Sequence, residues 1–64
     1  MKVVLRHPTR EVEVDGLSTV SSVLKRLDIL PDTVLVIRNG ELLMSSEHLE
    51  PDDVIELRPV ISGG

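Results

Sequence analysis

The spacing of apolar residues changes along the chain, and each change marks an element. Residues 1–7 read Met-Lys-Val-Val-Leu-Arg-His, apolar and β-branched up to Pro8, which cannot continue a ladder, and they predict a first strand. After a short Pro8-Thr9 turn, residues 10–15 alternate charged and apolar side chains with a period of two, the mark of a strand with one wet face. The two strands make a hairpin in which Val12 and Val14 face the same core as Val3 and Leu5, while the apolar Val4 leaves the parity of the first strand open. Asp15-Gly16 closes it.

Beyond Gly16 the period becomes helical. Ser18 or Thr19 supplies an N-cap oxygen, and Val20, Val23, Leu24 and Leu27 recur at i, i+3, i+4 and i+7, a single apolar stripe. Lys25 and Arg26 complement the negative end of the helix dipole, and Pro31 forbids helix at Leu30, so the helix stops near Asp28. Residues 34–37 form an unbroken Val-Leu-Val-Ile run, a strand apolar on both faces. Asn39-Gly40 is a type I′ hairpin signal, because both residues tolerate positive φ, and residues 41–44 supply the short partner strand. Residues 45–52 are polar loop with a turn around Glu47-His48-Leu49, from which Leu49 plugs the core. Residues 54–58 alternate again, with Ile55 and Leu57 on one face, and Pro59 ends the ladder. The expected architecture is α+β: one helix across a four- or five-stranded mixed sheet, with the first and last strands parallel at its centre.

Composition narrows the function. A chain of 64 residues is one domain that buries only ~60% of its unfolded surface. It has no cysteine, which excludes disulfides, thiolate metal sites and a cysteine nucleophile, and no Phe, Tyr or Trp, so the core is aliphatic and no aromatic platform exists for single-stranded nucleic acid. A formal charge of −4 argues further against direct nucleic-acid or anionic-membrane partners and favours a basic protein partner. No apolar run approaches the ~20 residues that span a bilayer, and no signal-peptide pattern is present. The reading is cytoplasmic.

The candidate chemistry sits at the end of the sequence. Ile61-Ser62-Gly63-Gly64 follows the last strand directly, and glycine without a Cβ fits a narrow channel and lets a nucleophile or phosphate approach its carbonyl closely. Run extended from Val60, the Gly64 carboxylate reaches on the order of 16 Å beyond the fold. The bland alternative is a frayed end. His7 and His48 are isolated, with no carboxylate at ligand spacing, and read as surface residues rather than a metal site. The serines have no triad-like context, so self-contained catalysis is rejected. Glu47, Glu50, Asp52, Asp53 and Glu56 form either a solvated face or a docking surface for a basic groove. The run at residues 34–37 cannot all face one helix. Either Leu35 and Ile37 or Val34 and Val36 lie on the outer face beside Val4, where a patch rimmed by Arg6, Arg38 and Arg58 makes a natural partner site unless a loop covers it.

In this order of elements, with Ile37-Arg38-Asn39-Gly40-Glu41 at the second hairpin, Asp53-x-Ile55-Glu56-Leu57 in the last strand and the terminal Gly63-Gly64, the chain resembles the β-grasp, ubiquitin-like sulfur carriers of the ThiS/MoaD family over essentially its whole length. It departs from them at Asp52, where glycine is frequent, and lacks the Pro-Arg pair common after the second hairpin in ThiS-like chains. The tail looks closest to carriers that donate sulfur for tRNA 2-thiolation. The resemblance implies a β-grasp domain over residues 1–59 and a flexible tail over residues 60–64. It implies that an ATP-dependent activating enzyme adenylates the Gly64 carboxylate and that Gly63, Ser62 and Ile61 are recognised as the tail threads in, while the partner surface expected from the apolar run and its arginines comprises Leu35, Ile37, Arg38 and Arg58. A sulfur donor such as a cysteine desulfurase or rhodanese then forms a thiocarboxylate, delivered to a tRNA-thiolating or thiazole-forming enzyme. No cofactor is bound by the carrier itself, since ATP is used by its partner. The competing reading is a ubiquitin-like modifier joined through Gly64 to target lysines.

Overall fold

Alternating valines and leucines build the sheet, and the helical stripe covers one side of it. The computed structural model describes residues 1–6 and 9–60, so His7 at the end of the expected first strand, Pro8 of the expected turn and residues 61–64 of the expected flexible tail lie outside the described residues. Strands β1 (Lys2–Leu5), β2 (Arg10–Glu13), β3 (Val34–Arg38), β4 (Glu41–Leu42) and β5 (Val54–Pro59) form one sheet in the order β2-β1-β5-β3-β4, with helix α1 (Val20–Arg26) between the two hairpins in sequence. The β1–β5 pairing is parallel and the others antiparallel. This is the expected α+β, β-grasp arrangement.

The register decides which side chains meet. Val3 stands opposite Val12 on one side and Ile55 on the other, and Leu57 stands between Leu5 and Val36. These residues meet Val20, Val23 and Leu24 of α1 in an aliphatic core that Met1, Val14 and Leu49 complete. Val3, Val23, Ile55 and Leu57 are at most 1% exposed, and burial of such a side chain stabilises by about 1.5–3 kcal/mol. The parity left open by the run at residues 34–37 is thus resolved: Val36 is buried, and Leu35 is exposed on the far side of the sheet.

Asn39 (φ 53°) and Gly40 (φ 81°) take the positive φ values expected of a type I′ turn. β4 is shorter than the sequence suggests. After Leu43 donates to the Val36 carbonyl (2.8 Å), the chain leaves the sheet for the start of the helix. There the Val20 and Ser21 amides donate to the carbonyls of Glu47 (3.1 Å) and Ser45 (3.0 Å), and the Ser22 amide donates to Thr19 Oγ1 (3.2 Å). The first-turn N–H groups that a helix cannot satisfy internally are therefore met by the loop that follows β4 and by the cap.

The other end of α1 closes in a Schellman motif. The Asp28 amide donates to the Lys25 carbonyl (3.1 Å) and the Ile29 amide to the Leu24 carbonyl (2.8 Å), with Asp28 at φ 59°. A 3₁₀ turn at Pro31–Thr33, absent from the sequence reading, then leads into β3, with the Thr33 amide and hydroxyl both donating to the Leu30 carbonyl (3.0 and 2.6 Å). β5 runs one residue further than expected, with Pro59 opposite Val34.

Asp28 sits in the left-handed region, where a Cβ is penalised and glycine is not. Replacing Asp28 by glycine is expected to stabilise the domain by roughly 0.5–1 kcal/mol, read as a higher urea midpoint at unchanged slope.

Candidate functional site

The sheet has two faces and only one carries the helix. On the other, Lys2 and Val4 of β1 with Arg6 just past its end, Val54, Glu56 and Arg58 of β5, and Leu35 and Ile37 of β3 alternate with the core residues. Val4 and Ile37 flank Glu56 directly, and Arg58 lies opposite Leu35. Leu35 (45%) and Val54 (52%) are exposed, so this face is an aliphatic patch with charge at its middle.

That charge is arranged around one carboxylate oxygen. Glu56 Oε2 accepts from Arg58 Nε at 2.7 Å and from Arg6 Nε at 2.8 Å, and the two guanidiniums leave the Glu56 side chain only 20% exposed. The hydrogen bond from Arg58, then that from Arg6, holds the Glu56 carboxyl below the ordinary glutamate range.

The sequence-derived surface residues divide. Leu35, Ile37 and Arg58 share the outer face with Arg6. Arg38 does not: as a neighbour of Val36 at i+2 it points to the helix side, where its Nη1 donates to the His48 carbonyl (3.1 Å) and Asp53 Oδ2 (2.9 Å). The same Asp53 oxygen accepts from the Glu50 amide at 2.8 Å. Arg38 therefore fastens the loop that carries Leu49 rather than rimming the patch. The five clustered acids likewise do not form one surface, because Asp53 and Glu56 belong to ion pairs on opposite faces while Glu47, Glu50 and Asp52 are exposed. His48 meets Thr19 in an isolated bridge.

Among the described residues no group of three or more His, Cys, Asp or Glu is placed to hold a metal, and no helix is long and apolar enough to cross a membrane. The bridging of Arg6 and Arg58 by Glu56 escaped the sequence reading, although a glutamate between Ile55 and Leu57 with arginine two positions on was a usable signal. The Arg38–Asp53 pair had no local signature.

The chain leaves the sheet beside this face. Val60, just past β5, donates its amide to the Thr33 carbonyl at 2.9 Å, which anchors the chain next to the Leu35–Arg58 pair. Ile61, Ser62, Gly63 and Gly64 follow in sequence, outside the described residues.

The Glu50 N–H, aided by Arg38 and opposed by burial, holds the Asp53 carboxyl below the ordinary aspartate range. The folded state therefore binds this proton less tightly than the unfolded chain, so the stabilisation is complete above the ordinary carboxylate pKa of about 4 and is lost as pH falls through the depressed value. Asp53→Asn is expected to cost about 1 kcal/mol at pH 7 and to show a shallower loss of stability below pH ~4 than the parent in urea titrations.

The comparisons agree with this architecture along the whole chain. It is 43% identical over 65 residues to the sulfur carrier protein TtuB of Thermus thermophilus, with 100% of each chain covered. The sequence profile of the ThiS family matches residues 3–64, from β1 through the terminal glycines, and the chain belongs to that family.

Proposed function

We propose that this protein is a sulfur carrier that works through the Gly64 carboxylate. An ATP-dependent activating enzyme docks the domain and receives the tail. The carboxylate oxygen attacks the α-phosphorus of ATP, pyrophosphate leaves, and the resulting acyl adenylate is electrophilic where the carboxylate was not. The terminal sulfur of a persulfide on a cysteine desulfurase or rhodanese then attacks the acyl carbonyl and expels AMP, and a thiol reductant cleaves the S–S bond of the resulting acyl disulfide, leaving a thiocarboxylate for a downstream enzyme that thiolates tRNA or forms a thiazole. On this reading the protein works in the cytoplasm, where its partners draw on ATP.

The observation that carries this reading is full-length similarity to a sulfur carrier, including the end of the chain. The geometry supports it. β5 contributes Val54, Glu56 and Arg58 to the outer face and then runs out at Val60, so one strand supplies both a docking surface and the root of the tail. The protein's own interior is aliphatic, so the catalytic groups belong to the partner. The carrier contributes a reactive carboxyl and a surface to be recognised.

Incubation with ATP, activating enzyme and sulfur donor is expected to add about 16 Da, which fragmentation must place at Gly64 because methionine oxidation adds the same mass. A chain lacking Gly64 is expected to fold and to gain nothing at its terminus. Absence of any gain at Gly64 in the full chain overturns the reading.

A further inference from the structure

Two arginines sharing one carboxylate leave a cation unspent. Arg6 and Arg58 both reach Glu56 Oε2 through Nε, the inner nitrogen of the guanidinium, so their terminal nitrogens point away from that bond. Arg6 Nη1 makes only a 3.5 Å contact to Thr9 Oγ1, and among the described residues the terminal nitrogens of Arg58 have no hydrogen-bond partner. The acids of β2 are engaged elsewhere: Glu11 lies 3.5 Å from Lys2 Nζ, and Glu13 lies 3.8 Å from the terminal ammonium. The middle of the outer face is therefore locally positive on a chain whose formal charge is −4.

We propose that Arg6 and Arg58, both tied to Glu56 Oε2, form a receptor for one carboxylate side chain of the activating enzyme. This rests on the reading above, that the outer face docks that enzyme, and it names the chemistry the enzyme must present. Planar guanidinium forks bind carboxylates with two parallel N–H···O bonds, and Glu56 removes the rotamer freedom that such a bond would otherwise cost. Val4 and Ile37 flank Glu56 and Leu35 lies opposite Arg58, so the complementary surface is an acidic side chain set among apolar ones. Those aliphatic neighbours, the absence of aromatic residues and the overall negative charge favour a protein carboxylate over a nucleic-acid phosphate.

The test is ATP–pyrophosphate exchange by the adenylating enzyme that accepts the wild-type chain, with carrier concentration varied at low and high salt. The double variant Arg6→Gln/Arg58→Gln is expected to raise the KM for the carrier roughly tenfold or more at low salt, with kcat unchanged and the gap narrowing at high salt. Arg58→Lys keeps the charge and loses the fork, and is expected to raise KM by a smaller factor; it also serves if the double variant does not fold, as judged by urea unfolding followed by circular dichroism. Leu35→Asp tests the docking face separately. If Leu35→Asp raises KM while both arginine variants leave it unchanged, the face docks the enzyme and the receptor is overturned. No exchange with the wild-type chain by any adenylating enzyme overturns the function and the receptor together. Retention of bulk tRNA by the wild-type chain on filters, lost in the double variant, overturns the carboxylate in favour of phosphate.

Discussion

The parallel pairing of β1 with β5 is the contact on which everything else depends. It joins Val3 to Ile55 and Leu5 to Leu57 across some fifty residues of sequence, and it places β5 in the middle of the sheet with β3 on its other side. Closing so long a loop costs entropy that no local contact repays, so the closure must be met by burial. With no aromatic side chain available, that burial comes from many small aliphatic contacts. Each is modest, and they act together only when both hairpins and the helix are in place.

The helix is correspondingly dependent on its surroundings. At seven residues α1 is too short to persist alone in water, and its first turn is completed by carbonyls from the loop after β4. That loop is in turn held by Leu49 in the core and by Arg38 reaching Asp53 and the His48 carbonyl. Helix start, loop and second hairpin therefore form one cooperative unit. The outer face needs nothing from this unit except a flat, well-registered sheet, which leaves it free to carry exposed aliphatic side chains and a charged cluster.

Elements whose signals are local were legible in the sequence. The period-two alternation around Val12 and Ile55, the i, i+3, i+4 stripe from Val20 and the Asn39-Gly40 turn each depend on neighbours within a few residues, and each appears in the structure where it was expected. The parallel centre followed from element order. The destination of Arg38, the shortness of β4 and the 3₁₀ turn at Pro31–Thr33 were not legible, because they are decided by backbone groups ten or more residues away or by how the chain must turn to enter the next strand. The run at residues 34–37 was ambiguous because both of its faces are apolar, and only pairing with β5 separates Val36 from Leu35. At the candidate site, arginine and aliphatic content could be read, but the shared Glu56 oxygen required the register.

The position of β5 also has a mechanical meaning. Under the proposed function, a partner that drew the chain into a narrow channel would pull along the axis of a strand held on both sides, by β1 and by β3. Such a pull loads the ladder bonds in shear, all at once, and not one after another as peeling an edge strand would. The domain would then act as a stop, bearing traction at its exit point without unravelling, and the proposed entry into the partner would be limited to the few residues beyond the Val60 anchor.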